Sequence, residues 1–158
     1  MKSNNVFSIE QAKKKLEYYC IYQERCHQDV ENKLRSMKLS TSYKETVLLH
    51  LLENDFLNEE RFSKAFARGK FRIKKWGKRR IEKELKTRNI SEYNIRSGLQ
   101  EISESDYLES FNELAKKRLS QIKESNIYIK RKKLTDYLLY RGWESDLVYN
   151  KVLELVKK

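Results

Sequence analysis

Residues 77–91, GKRRIEKELKTRNIS, hold the pattern that decides how this chain folds. Ile81 and Leu85 stand four apart in an otherwise charged run, and Ile90 follows five further on. That spacing suits one apolar helix face followed by a stop and a turn, with Asn89 where a left-handed terminating residue is wanted. The same register recurs in residues 26–40, CHQDVENKLRSMKLS, and in residues 130–144, KRKKLTDYLLYRGWE. Val30, Ile81 and Leu134 correspond, as do Leu34, Leu85 and Leu138, and Leu39, Ile90 and Trp143, each set stepping by 51 and then 53 residues. Gly142 takes the place of Asn89 in the last copy. One structural unit is therefore about fifty residues long.

After each turn a capping residue opens a further helix: Ser40, Thr41 or Ser42, then Ser91, then Glu144 or Ser145. Before each aligned segment lies a longer helical pattern. Phe62, Ala65, Phe66, Gly69 and Ile73 fall within about 100° on a helical wheel and predict a buried seam. Ile9, Ala12 and Leu16, and Leu108, Phe111, Ala115 and Leu119, repeat that spacing. The absence of proline, with only four glycines in 158 residues, removes most breakers and favours helix throughout. The expectation is an all-α protein of three tandem three-helix repeats, elongated and curved, divided at 1–54, 55–103 and 104–158. The second helices are expected to begin near residues 27, 78 and 131. Units this small have marginal cores, so packing between neighbours should matter.

Enzyme chemistry lacks its parts. The glycines at positions 69, 77, 98 and 142 form no phosphate-cradling loop. His27 and His50 are the only histidines, and Cys26 beside His27 is not a helical metal pair. Asp55, Glu59 and Glu60 precede a helix, where carboxylates favour the N-terminal dipole. No catalytic residue, metal or cofactor is expected. Cys20 and Cys26 read as packed thiols rather than a disulfide. No apolar run approaches the ~20 residues of a membrane span, and MKSNNVFSIEQAKKKL lacks the apolar core of a signal peptide, so a cytoplasmic location is expected.

Charge is concentrated. Arg61 to Arg88 carries thirteen Lys or Arg against Glu82 and Glu84, net +11 of the chain's +12. Such clustering is the footprint of a polyanion-binding surface, because gathered like charges repel one another until a partner neutralises them. On a first helix running to about Lys75, Arg61, Lys64, Arg68, Arg72 and Lys75 form a stripe about 80° wide, away from the seam. On the second helix Arg79, Lys83 and Lys86 lie opposite Ile81 and Leu85, with Arg80 on one shoulder. These residues, with Lys132 and Lys133 from a second basic zone, are the candidate binding residues. Lys116, Lys117 and Arg118 belong to that second zone. Lys130 and Arg131 fit either a first helical turn or a loop. Trp76, beside Gly77, reads as packing at a turn, while Phe71 fits either packing or base stacking. The tyrosines, among them Tyr18, Tyr19, Tyr22, Tyr137, Tyr140 and Tyr149, read as rims of the seams.

Residues 54–91, NDFLNEERFSKAFARGKFRIKKWGKRRIEKELKTRNIS, resemble the signature region of the RecX regulatory proteins. Asp55, Asn58 to Phe62, Ala65 to Arg68, Trp76, Gly77 and the Ile81, Leu85, Ile90 spacing carry the resemblance; the first and third units match in pattern and length. The resemblance implies a monomeric helical modulator that binds the RecA filament on single-stranded DNA and inhibits its ATPase and strand exchange. Homologous recombination, DNA repair and the SOS response are the implied setting. The basic stripe would face recombinase acidic side chains, DNA phosphate, or both. The rival from the residues alone is a stand-alone helix-turn-helix regulator reading duplex DNA with the Lys78 to Lys86 helix.

Overall fold

The computed structural model describes residues 7–157; the readings that involve residues 1–6 lie outside the described part. Among the described residues there are nine helices and no strand: α1 (Ile9–Tyr22), α2 (His27–Arg35), α3 (Thr41–Glu53), α4 (Glu59–Arg72), α5 (Lys78–Thr87), α6 (Glu92–Leu99), α7 (Glu104–Gln121), α8 (Ile127–Tyr140) and α9 (Ser145–Leu155). No helix among them is long and apolar enough to cross a membrane. The helices pack chiefly in consecutive threes.

The repeat register is a burial register. All nine aligned apolar side chains, from Val30 through Trp143, are buried. The turn after each second helix is made by a left-handed residue, Lys38 (φ 55°), Asn89 (φ 59°) and Gly142 (φ 93°). Ile90 N donates to Leu85 O and Trp143 N to Leu138 O, each at 3.2 Å, folding the chain back so that the next apolar residue enters the core. Ser40 and Ser91 cap α3 and α6 by accepting from Tyr43 N and Asn94 N. Glu144 holds the N-cap position of α9 without a side-chain capping bond.

Three expectations need correcting. α8 starts at Ile127, four residues before the expected 131, because the Asn126 side chain caps it by accepting from Tyr128 N and Ile129 N. Lys130 and Arg131 are therefore helical, and Arg131 Nε donates to Val156 O at 2.9 Å. In α7 Phe111 and Ala115 are buried as expected, but the position that opens the seam is Tyr107, while Leu108 is exposed. In α4 the buried residues are Phe62, Ser63, Ala67 and Phe71, whereas Ile73 is 78% exposed and Ala65, Phe66 and Gly69 are half-buried. The buried face is rotated by roughly a third of a turn from the predicted seam. The cause lies in α6: a Cβ at Gly98 would stand 2.7 Å from Ser63 O, so the two helices cross backbone to backbone over a small residue. Ser63 tolerates burial because its hydroxyl donates to Glu59 O at 2.7 Å.

The apolar interior is divided. One cluster joins Ala12, Leu16, Val30, Leu34, Val47 and Leu51 of the first unit with Leu57, just before α4. A larger one runs unbroken through α4–α9 and includes Cys26. At its centre the Trp143 ring lies 4.5 Å from Tyr107, 5.1 Å from Phe111 and 6.5 Å from Phe71. Phe71 is thus packed, which resolves its two sequence readings.

Candidate binding surface

The cations of residues 61–88 divide by what their side chains touch. Arg61 is engaged inside the molecule. Its Nε donates to Glu24 Oε1 at 2.6 Å, Nη1 lies 3.1 Å from Asp55 Oδ2, and Nη2 donates to the carbonyls of Asp55 and Phe56. The hydrogen bond that Arg61 donates to Glu24 raises the Arg61 pKa above its ordinary value. Together with His27 N donating to Glu59 Oε2 at 2.9 Å, Arg61 fastens α4 to the α1–α2 turn. Lys64 pairs with Glu60, Arg68 with Glu101 at 2.7 Å, and Lys86 with Glu82 at 3.0 Å. In the third unit Lys132 pairs with Asp136 and Lys133 with Glu124. These exposed pairs are worth at most ~1 kcal/mol each, so a competing anion could recruit the cations.

Five of the predicted residues remain. Arg72, Lys75, Arg79 and Lys83 are exposed and have no carboxylate partner among the described residues. They lie at the end of α4, in the turn after it and on the outer face of α5. Arg80 is held differently: its guanidinium lies 4.2 Å from the Trp76 ring centroid and 4.9 Å from that of Tyr140, with Nη1 donating to Tyr140 O. Arg79, Arg80, Lys83, Tyr140 and Gly142 line a cleft of about 390 Å³ between α5 and the α8–α9 turn. Periodicity places Arg80 on a shoulder of α5. It gives no hint that Tyr140, sixty residues away, clamps it.

The start of α5 is fixed to the third unit. Gly77 N donates to Arg141 O at 2.8 Å, Arg79 N to Gly142 O at 3.0 Å, and Lys78 N to the Tyr107 hydroxyl at 2.9 Å. Three of the four unpaired donors at the helix N-terminus are thereby satisfied from another unit. The Tyr107 hydroxyl in turn donates to Glu144 at 2.7 Å. Burial pushes the Tyr107 pKa well above its ordinary value. Trp143 Nε1 donates to Lys75 O at 3.2 Å, and Arg141 donates to Lys74 O, so the exposed turn carrying Lys75 is held from beneath. Lys78 lies over the Tyr107 ring, 4.6 Å from its centroid. Sequence reasoning missed Tyr107 because nothing distinguishes it from the rim tyrosines until α5 and α9 come together.

No group of His, Cys, Asp and Glu that could hold a metal ion occurs among the described residues. Cys20 and Cys26 are buried, and burial raises each thiol to about 11.

Comparison with known proteins gives a consistent result. Family models of the second and third three-helix domains of RecX match residues 58–99 and 104–152. Regulatory protein RecX of Bacillus cytotoxicus is 28% identical over 131 residues, covering 82% of this chain and 48% of that protein. The Clostridioides difficile protein of the same name is 25% identical over 134 residues, covering 80% and 63%. The chain therefore spans about half to under two thirds of the length of these relatives. The crystal structure of RecX from Lactobacillus salivarius superposes with a TM-score of 0.79 at 21% identity, covering 94% of this chain and 96% of that one.

Proposed function

The chain belongs to the RecX family of regulatory proteins, and from that premise we propose that it binds the RecA filament on single-stranded DNA in the cytoplasm and inhibits ATP turnover and strand exchange, without catalytic activity of its own. The observation that carries the reading is the set of exposed, unpaired cations Arg72, Lys75, Arg79 and Lys83, held in place by the joint with the third unit. Cations gathered in one short segment without carboxylate partners are electrostatically costly unless a polyanion covers them. A filament of DNA and protein offers phosphate and carboxylate in a repeating array. Arg68, Lys64, Lys86, Lys132 and Lys133, whose surface pairs are weak, would add to the contact on exchange of partners. Arg61 is left out because its donors are engaged within the fold.

The duplex-reading alternative is disfavoured by one feature. A recognition helix presents its N-terminal residues to base edges in the major groove. Here the N-terminal end of α5 abuts the third unit: the backbone donors of Gly77, Lys78 and Arg79 are bonded to Arg141, Tyr107 and Gly142, Lys78 lies over the Tyr107 ring, and of that turn only Arg79 is exposed.

The test is RecA-dependent ATP hydrolysis on single-stranded DNA, with wild-type protein and with Arg72→Glu/Arg79→Glu/Lys83→Glu. Wild type should suppress turnover, and the variant should not, with unchanged circular dichroism and melting. Unchanged turnover at saturating wild-type protein would remove the proposal. If phosphate is contacted directly, binding to bare single-stranded DNA should weaken with salt by a slope of about −0.7 per phosphate neutralised, and the variant's slope should be shallower.

A further inference from the structure

α4 carries a third face that neither its buried residues nor its cation stripe accounts for. Ala65, Gly69 and Ile73 follow one another at steps of four, with Phe66 beside them, along one wall of an open cleft of about 430 Å³. The opposite wall is the α1–α2 turn, Gln23 to Arg25, with Asp29. Ile73 is 78% exposed, which leaves a large aliphatic side chain in water at the end of an apolar stripe. A Cβ at Gly69 would meet nothing within 4 Å, so the fold itself has no steric need for glycine at this interior helical position, where glycine is unfavourable relative to alanine. A smooth stripe of this kind lets another helix approach the backbone of α4 closely, as Gly98 lets α6 approach its other side.

The charges on the rim select the occupant. Of the two acids, Asp29 accepts from Cys26 N, and Glu24 is bound to Arg61 through Oε1 while its Oε2 is buried without a partner among the described residues. Of the rim cations, Arg88 pairs with Glu84 and Arg25 donates to Tyr19 O, which leaves Lys70 and Lys74 beside the apolar floor without a carboxylate partner among the described residues. A nucleic acid strand fits poorly, because Lys70 and Arg88 lie over the Phe66 ring, 5.4 Å and 5.0 Å from its centroid, and the floor between them is an apolar stripe at helical spacing rather than a line of cations. A second copy fits poorly as well, because it would bring two segments of net +11 together. We infer that the cleft between α4 and the α1–α2 turn receives an amphipathic helix from a partner protein, its apolar face on Ala65, Gly69 and Ile73 and acidic side chains on its flank facing Lys70 and Lys74. This surface is separate from the Arg72, Arg79 and Lys83 cations and does not depend on their role.

The test uses three helical peptides with the same leucine-rich face and flanks of Glu, Gln or Lys, titrated into isotope-labelled full-length chain and followed by NMR. Affinity should rank Glu above Gln above Lys, with shift changes centred on residues 23–29 and 65–74. Gly69→Leu should weaken the Glu peptide at least tenfold while leaving the melting temperature unchanged or higher. Gly69→Ala should raise the melting temperature and weaken binding less. A flat or reversed ranking, shifts centred on Arg79 and Lys83, no binding of any peptide at millimolar concentration, or full affinity in Gly69→Leu would each overturn the inference. ATP turnover by the recombinase is not read, so failure here and failure of the filament reading are distinguishable.

Discussion

A Cβ at Gly142 would stand 2.3 Å from Arg80 Cβ, and one at Gly77 would stand 2.4 Å from Gly142 O. The two glycines exist for each other: the turns that carry them touch backbone to backbone, and Gly142 also needs its positive φ. Gly77→Ala or Gly142→Ala should therefore cost about 2 to 4 kcal/mol in urea melts, through forced separation of the turns. Gly69→Ala, in open space, should instead stabilise by about 0.5 to 1 kcal/mol. Tyr107 acts at the same scale. Its buried hydroxyl accepts from Lys78 N and donates to Glu144, and Tyr107→Phe would leave both unsatisfied, at about 1 to 3 kcal/mol. The pH dependence follows from the direction of its pKa. The neutral phenol is favoured in the folded state, so its contribution is fully present below the unfolded value of 10.0 and is lost as pH rises above it. Melting temperatures measured from pH 8 to 11 should fall at the alkaline end, and less steeply in Tyr107→Phe; parallel curves would contradict this role.

At the scale of the element, α4 has three working faces. Phe71 is buried against Tyr107 and Trp143, and Phe66 is half-buried beside Trp76 and the open cleft. Phe71→Ala should cost about 3 to 5 kcal/mol, and Phe66→Ala distinctly less, about 1 to 2 kcal/mol, because part of its surface already meets water. Equal losses would mean that the apolar stripe of α4, rather than the Ser63, Ala67 and Phe71 face, carries the packing. Hydrophobic periodicity locates the stripe correctly and assigns it the wrong partner, since a wheel shows which residues share a face but not which neighbour arrives. Ser63 is polar by type, and only the close approach of Gly98 makes its position an interior one. The basic stripe was legible for the complementary reason: charge needs no partner to be counted.

In the whole molecule the two joints differ in kind. Between the second and third units the core is continuous and reinforced by backbone hydrogen bonds; the first unit has a separate apolar cluster, shared only with Leu57 and Phe56, and meets α4 through Cys26, Arg61 with Glu24, and His27 N with Glu59. Hydrogen exchange should show α4–α9 opening together at the highest free energy and α1–α3 opening below it. Arg61→Ala should lower protection in the first unit, by about 1 kcal/mol for a partly exposed pair, and leave α8 and α9 unchanged. A single cooperative opening with equal protection in all nine helices would contradict the division. Helix content, the fifty-residue repeat, the nine buried register positions and the concentration of charge were all determined by the sequence, because each rests on local spacing or composition. The tertiary structure alone decided which cations are free. Arg61 and Arg79 look alike along the chain, yet the guanidinium of one meets Glu24, thirty-seven residues away, and that of the other is exposed with no carboxylate partner among the described residues. It also decided that Tyr140 clamps Arg80 and that α4 leaves an apolar face uncovered, since partners distant in sequence are set by how units dock, and no periodicity encodes docking.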